Sequence, residues 1–155
     1  MARVEFDVET TLAPERVVEV LTDFSDRRPD VWPDLDPGQY GVYSVEHTSA
    51  SVREGSKLPG ATIWAKERYD WSVPGTVRWT VEESNFCEPG SYMAATVRPA
   101  GVGGEPGGSR VHIEWERTGT GVRGKVLVRM IKLSNGKPLA RSLQKALRRS
   151  EETGG

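Results

Sequence analysis

The sequence predicts an α+β domain: one strand, a short helix or helix pair, six further antiparallel strands, and a long terminal helix. Three observations predict it. Short runs of alternating apolar and polar residues are separated by turn signals such as Asp36-Pro37-Gly38, Val73-Pro74-Gly75 and Glu88-Pro89-Gly90, which suits a meander of hairpins rather than parallel crossovers. Helical periodicity is confined to a stretch near the start and to the last third. The chain has 155 residues, 36% apolar and 28% charged, the size of one domain with a real core.

Taken in order, Val4, Phe6 and Val8 alternate with Arg3, Glu5, Asp7 and Glu9, the period of a strand buried on one face. Pro14 suits a first helical position and Glu15 the positive end of the helix dipole. Val17, Val18, Leu21 and Phe24 then form an apolar stripe, so residues 14–24 read as an amphipathic helix. Residues 26–33, with Pro29 and Pro33, allow one or two more turns. Strands are expected at 40–46, 49–54, 62–71, 76–83, 91–98 and 110–117, with a loop at 55–60 and a flexible glycine-rich connection at 99–109.

Gly119-Thr120-Gly121-Val122-Arg123-Gly124 spells G-x-G-x-x-G between a strand and a helix. A dinucleotide site also needs a second parallel strand and an acid about 20 residues further on. No strand follows, and position 144 is Gln144. These glycines instead let the backbone turn from a strand into a closely packed helix. In that helix Val122, Val126, Met130 and Leu133 share one side, beside Lys125, Arg129 and Lys132. Leu139, Ala140, Leu143, Ala146 and Leu147 form a second stripe, rotated by about a quarter turn. Asn135-Gly136-Lys137-Pro138 lies between them and predicts a break. The domain is expected to span 1–150, with 151–155 frayed.

No apolar run approaches the ~20 residues that span a bilayer, and acids occupy the place of a signal peptide's apolar stretch. Cys87 is the only cysteine and there are two histidines, a poor inventory for a disulfide or metal. No metal or cofactor is expected, and a reducing cytoplasm is the simplest placement. Residues 1–117 are net acidic, whereas 118–155 carry nine Lys/Arg against Glu151 and Glu152. That asymmetry suits a solvated flank attracted to the body, or an acidic partner. No nucleic-acid partner is expected, and no feature speaks to oligomeric state.

His47 falls at a turn and His112 on the polar face of its strand, so both read as surface histidines. Cys87 and Ser84 lack a nucleophile's context. The inward parities are more informative. Ile63, Ala65, Tyr69 and Trp71 share a face that also turns Glu67 inward; Val77, Trp79 and Val81 precede Glu83, and Val111, Ile113 and Trp115 precede Arg117. An inward charge is costly unless paired or wetted. Either these groups pair across the interior or they line a hydrated pocket. Glu83 and Arg117, near strand ends, are expected at solvated rims.

Several stretches stand out together: Val4-Glu5-Phe6-Asp7-Val8 with Ala13-Pro14-Glu15-Arg16-Val17, and Leu21-Thr22-Asp23-Phe24 before a tryptophan-proline stretch. Val52-Arg53-Glu54-Gly55-Ser56, Glu67-Arg68-Tyr69-Asp70-Trp71 with Pro74, and Gly107-Gly108-Ser109-Arg110-Val111 complete the set. With them the chain resembles the SRPBCC superfamily (START, birch-pollen-allergen and polyketide-cyclase-like proteins), chiefly its bacterial polyketide cyclase/dehydrase-like branch. The resemblance implies a helix-grip fold: a bent seven-stranded sheet around the terminal helix, with a cavity for a small apolar or aromatic molecule. Trp32, Ile63, Ala65, Trp71, Trp79, Val81, Met93, Ala95, Ile113, Trp115, Val126 and Met130 are expected to line it. The same residues also suit a filled core, because five tryptophans can fill a small cavity. A non-catalytic binder or carrier is the first expectation. The alternative is a polyketide cyclase, aromatase or dehydratase with Glu67 as acid/base and Tyr69 or Arg117 as polariser. An interaction module using the basic helix is the third.

Overall fold

The computed structural model describes residues 1–154. The order is β1 (Ala2–Thr10), α1 (Pro14–Leu21), α2 (Arg28–Val31), a 3-10 turn (Pro37–Gln39), β2 (Gly41–Val45), β3 (Ser49–Leu58), β4 (Ala61–Asp70), β5 (Thr76–Ser84), β6 (Tyr92–Val102), β7 (Glu105–Arg117), α3 (Gly121–Leu133) and α4 (Lys137–Gly154). The strands form one antiparallel sheet in the order β1-β7-β6-β5-β4-β3-β2. The first strand therefore closes onto the last, with Val4 opposite Trp115 and Phe6 opposite Ile113.

Turn chemistry sets the hairpins. The glycine-rich stretch after Pro99 is a continuation of β6 and β7 around Gly103-Gly104, not a flexible connection. Both glycines have positive φ, 61° and 84°, as a two-residue hairpin turn requires. Likewise β3 and β4 run through the expected loop to a turn at Pro59-Gly60. Gly55 permits this, since a side chain there would overlap the Ile63 carbonyl oxygen. The first helix stops at Leu21, three residues early, where the Thr22 hydroxyl donates to the Val18 carbonyl at 2.7 Å.

The main core lies between the sheet, α1 and α4. Val17, Val20 and Leu21 of α1 pack with Val111 and Ile113 of the sheet and with Leu143 and Leu147 of α4. Gln144 Nε2 donates to the Glu9 carbonyl at 3.0 Å. Glu151 accepts from the Thr10 hydroxyl at 2.7 Å and the Thr11 amide at 2.9 Å. These bonds hold as helix a segment expected to fray from 151 onward; Gly155 lies outside the described residues. Among the described residues no helix is long and apolar enough to cross a membrane.

The predicted break between the terminal helices is a Schellman stop. Asn135 has φ 54° and Gly136 φ 73°. The Gly136 amide donates to Ile131 and the Asn135 amide to Lys132, which satisfies the last carbonyls of α3. A Cβ on Gly136 would sit 2.8 Å from Val4 Cγ1, so the joint is pressed onto β1.

The orientation of α3 overturns an expectation. Val122, Val126, Met130 and Leu133 point to solvent, 81, 52, 62 and 73% exposed. Gly124 and Val128 are buried on the opposite side, with Leu127 and Ile131 toward the interior. The reason is Gly124: a side chain there would overlap the Phe86 carbonyl oxygen. Such close approach of the helix to the 84–88 turn fixes which side faces in.

Candidate functional site

The bent sheet and the terminal helices do not close completely. Between them lies a cavity of about 720 Å³, within the usual size of a small-molecule site. Its apolar wall comes from Phe6 of β1, Trp79 of β5, Met93 of β6, Ile113 and Trp115 of β7, and Leu127, Val128 and Ile131 of α3. Trp32, Ile63 and Ala65 also line it, as does Leu143 of α4. The tryptophans are panels of the wall rather than its filling. The lining reaches solvent at the exposed Lys57 and Leu58 at the tip of β3–β4.

Five expected lining residues stand elsewhere. Trp71 packs beside Phe24, ring centroids 6.0 Å apart, beyond the cavity end of β4. Val81 is buried with Ala65, Cys87 and Phe86 in a separate cluster. Ala95 is fully buried with Val77 and Trp79 in the main core. Val126 and Met130 are on the outer side of α3.

Two charged clusters are set into the apolar wall. In the first, Arg28 of α2 is buried and spends its guanidinium on four acceptors. Nε donates to Glu54 Oε2 at 2.9 Å, Nη1 to the carbonyls of Leu21 and Asp23 at 3.1 Å each, and Nη2 to the Tyr69 hydroxyl at 3.2 Å. The Tyr69 hydroxyl donates in turn to Glu54 Oε1. Arg28 also lies over the Phe24 ring, 4.7 Å from its centroid. Burial works against the Arg28 charge, but Glu54 and Tyr69 outweigh it and hold the group protonated. Burial, reinforced by Glu54, raises the Tyr69 hydroxyl well above its ordinary range, so it stays a neutral donor.

Sequence reasoning missed Arg28 and Glu54. A signal for Glu54 was available, since it continues the inward parity of Ala50 and Val52 and faces Ala65 across the ladder. Arg28 had none, because its helix is only four residues long.

The second cluster joins Glu67 of β4 to Arg117 of β7. Both are buried, and Arg117 Nη2 lies 3.3 Å from Glu67 Oε2. Arg117 is thus an interior partner and not the solvated rim group expected. These strands are separated by β5 and β6, roughly 14 Å across a flat sheet, so the contact measures how strongly the sheet is bent. Arg117 Nη1 also points at Cys87 Sγ, 3.4 Å away. Burial drives the Glu67 pKa up to about 7; Arg117 opposes the rise and Glu54 adds to it. A carboxyl group raised in this way thus stands on the cavity wall.

Glu83 is solvent-exposed for a different reason from the one expected. A bulge at Lys66/Glu67 pairs Glu67 with Val81 and Lys66 with Glu83, so Glu83 is turned onto the outer face. His112 is half-exposed and sits between Asp7 (2.6 Å) and Glu5 (3.2 Å) of β1. The bond to Asp7, offset in part by burial and supported by Glu5, raises its pKa. It lies on the face away from the cavity.

Solved structures share this architecture across nearly the whole chain. A protein from Thermus thermophilus superposes with TM-score 0.79 at 17% identity, covering 99% of each chain. A START superfamily protein from Mycobacterium smegmatis gives 0.71 at 12% identity, covering 96% of this chain and 99% of its own. An aromatase/cyclase from Streptomyces sp. R1128 gives 0.67 at 16% identity, covering 97% and 93%. No family model and no curated protein matches the sequence. At these identities the likeness is one of fold: the chain has the helix-grip fold of START-like proteins.

Proposed function

We propose that the chain, as a single domain, binds a small apolar or aromatic molecule between the sheet and the terminal helices. The observation that carries this reading is the open cavity of about 720 Å³ walled by Trp32, Trp79, Trp115, Met93 and Ile113. Aromatic panels offer large, stiff contact area, and the few polar groups among them orient a ligand. Solved structures of the same fold include START-like proteins and an aromatase/cyclase, which supports the reading by analogy. A thermal-shift and native mass spectrometry screen of lipids and polycyclic aromatics tests it. A ligand that raises Tm and is lost on Trp79→Ala is expected; no shift with any ligand overturns the proposal.

A specific observation favours a second reading, a cyclase, aromatase or dehydratase acting on a poly-ketone chain. Glu67, with a pKa of about 7 beside Arg117 in the cavity wall, suits general acid–base work at neutral pH. Arg117 would steady an enolate oxygen as the proton leaves carbon. Tyr69 belongs to the Arg28 cluster, and its hydroxyl is already given to Glu54, so its polarising role is the weaker one. Glu67→Gln separates the readings. A carrier keeps its affinity within a few-fold, whereas an enzyme using this acid loses turnover by ~10²-fold or more.

A further inference from the structure

The helix α3 is apolar on two opposite sides. Its inner side, Gly124, Leu127, Val128 and Ile131, faces the protein. Its outer side carries Val122, Val126, Met130 and Leu133 at a spacing of one helical turn, all exposed. An amphipathic surface helix should show solvent its polar side. A row of four large apolar side chains along one short helix is an unpartnered face that needs a cover.

Charge says what that cover is. Arg123 lies on one flank of the row, and Lys125, Arg129 and Lys132 on the other, by their 100° positions around the helix. All four are exposed, and α3 contains no acid. Lys132 Nζ donates to the Arg3 carbonyl at 2.8 Å, while Arg123, Lys125 and Arg129 have no ion-pair partner among the described residues. An apolar stripe between rows of cations fits the boundary of an anionic bilayer: the stripe enters the acyl region and the long basic side chains reach to the lipid phosphates. A second copy meeting α3 against α3 would bring two acid-free cationic rows together. Nucleic acid offers phosphates for the cations but nothing for the stripe.

We propose that α3 is a membrane-surface docking helix whose outer side seats on anionic lipid. The docking is peripheral, because the helix has 13 residues where a span needs about 20. It also has a geometric consequence: the inner side of α3 is cavity wall, so one helix diameter, about 10 Å, separates the cavity from the lipid surface. The proposal does not depend on what the cavity binds.

Co-sedimentation of the full chain tests it, with phosphatidylcholine vesicles and with vesicles in which about a quarter of the lipid is phosphatidylserine. Binding to the anionic vesicles alone, weakening as salt rises, is expected. Val126→Glu/Met130→Glu should reduce it by at least ~10-fold, and Lys125→Gln or Arg129→Gln by about fivefold each. These side chains are exposed, so Tm should hold; Met130→Trp, which keeps the stripe apolar, should bind at least as well as the parent chain. Three results overturn the proposal. One is no preference for anionic vesicles. Another is vesicle binding indifferent to the double glutamate change. The third is a dimer in solution that the double change converts to monomer, which would assign the stripe to a second copy.

Discussion

The two charged clusters in the cavity wall are built from the same materials and behave differently. Arg28, Glu54 and Tyr69 form a saturated knot: the guanidinium has four acceptors, two of them backbone carbonyls, and ties α1, α2, β3 and β4 together. Glu67 and Arg117 form a thin contact, one oxygen at 3.3 Å with a sulfur on the other side. The first group is a structural joint in which Arg28 is held protonated and the Tyr69 hydroxyl is held neutral. The second holds a carboxyl group whose pKa is raised, because a single partner only partly compensates its burial. Counting partners thus separates a charged group tied into the fold from one left with a single charged partner.

Three substitutions test that contrast, beginning with the largest effect. Arg28→Met leaves Glu54 without its cationic partner and the Leu21 and Asp23 carbonyls without the Arg28 donor. It should cost about 3–5 kcal/mol and lower Tm by on the order of 10 °C, read by calorimetry. Arg117→Met should cost less, about 1–2 kcal/mol, because Glu67 can take up a proton instead of standing charged and alone. Equal losses in the two variants would erase the distinction between joint and contact.

Glu67→Gln should change stability least at low pH and alter its pH dependence most. The folded-state pKa is raised from 4.5 to about 7, so the folded chain binds this proton more tightly than the unfolded one. Its stabilising contribution is complete below pH 4.5 and is lost as pH rises through about 7. Denaturant titrations at about pH 5 and about pH 8 should therefore differ less in the variant than in the parent chain. An unchanged difference would mean that another group controls this window.

The contrast also shows what the chain makes legible. The succession of strands and helices, the turns at 73–75 and 88–90 and the Asn135-Gly136 stop followed from local patterns, because turn residues and strand parity act over a few positions. Parity turned Glu67 inward and gave Arg117, 50 residues on, the same inward parity, but the position of Arg117 at a strand end pointed to a solvated rim. Whether they pair across the interior or line a wet pocket was left open, since it depends on how far β4 to β7 bend. Arg28 was hidden for a related reason: its partners are set by where a four-residue helix lands on the sheet. The apolar stripe of α3 was read correctly as a stripe and assigned to the wrong side. Periodicity finds a row of side chains but does not say which way it points. Gly124, on the opposite side, was the better indicator, because only a missing side chain admits the Phe86 backbone so closely.

The Schellman joint carries a consequence for engineering. Gly136 is seated against Val4 and Phe6 of β1, so α4 takes its position from the sheet and not from the outer side of α3. Positions 122, 126, 130 and 133 then form a writable surface: a library randomised there should keep the fold while being selected for new adhesion, whether to a support, a surfactant or another scaffold.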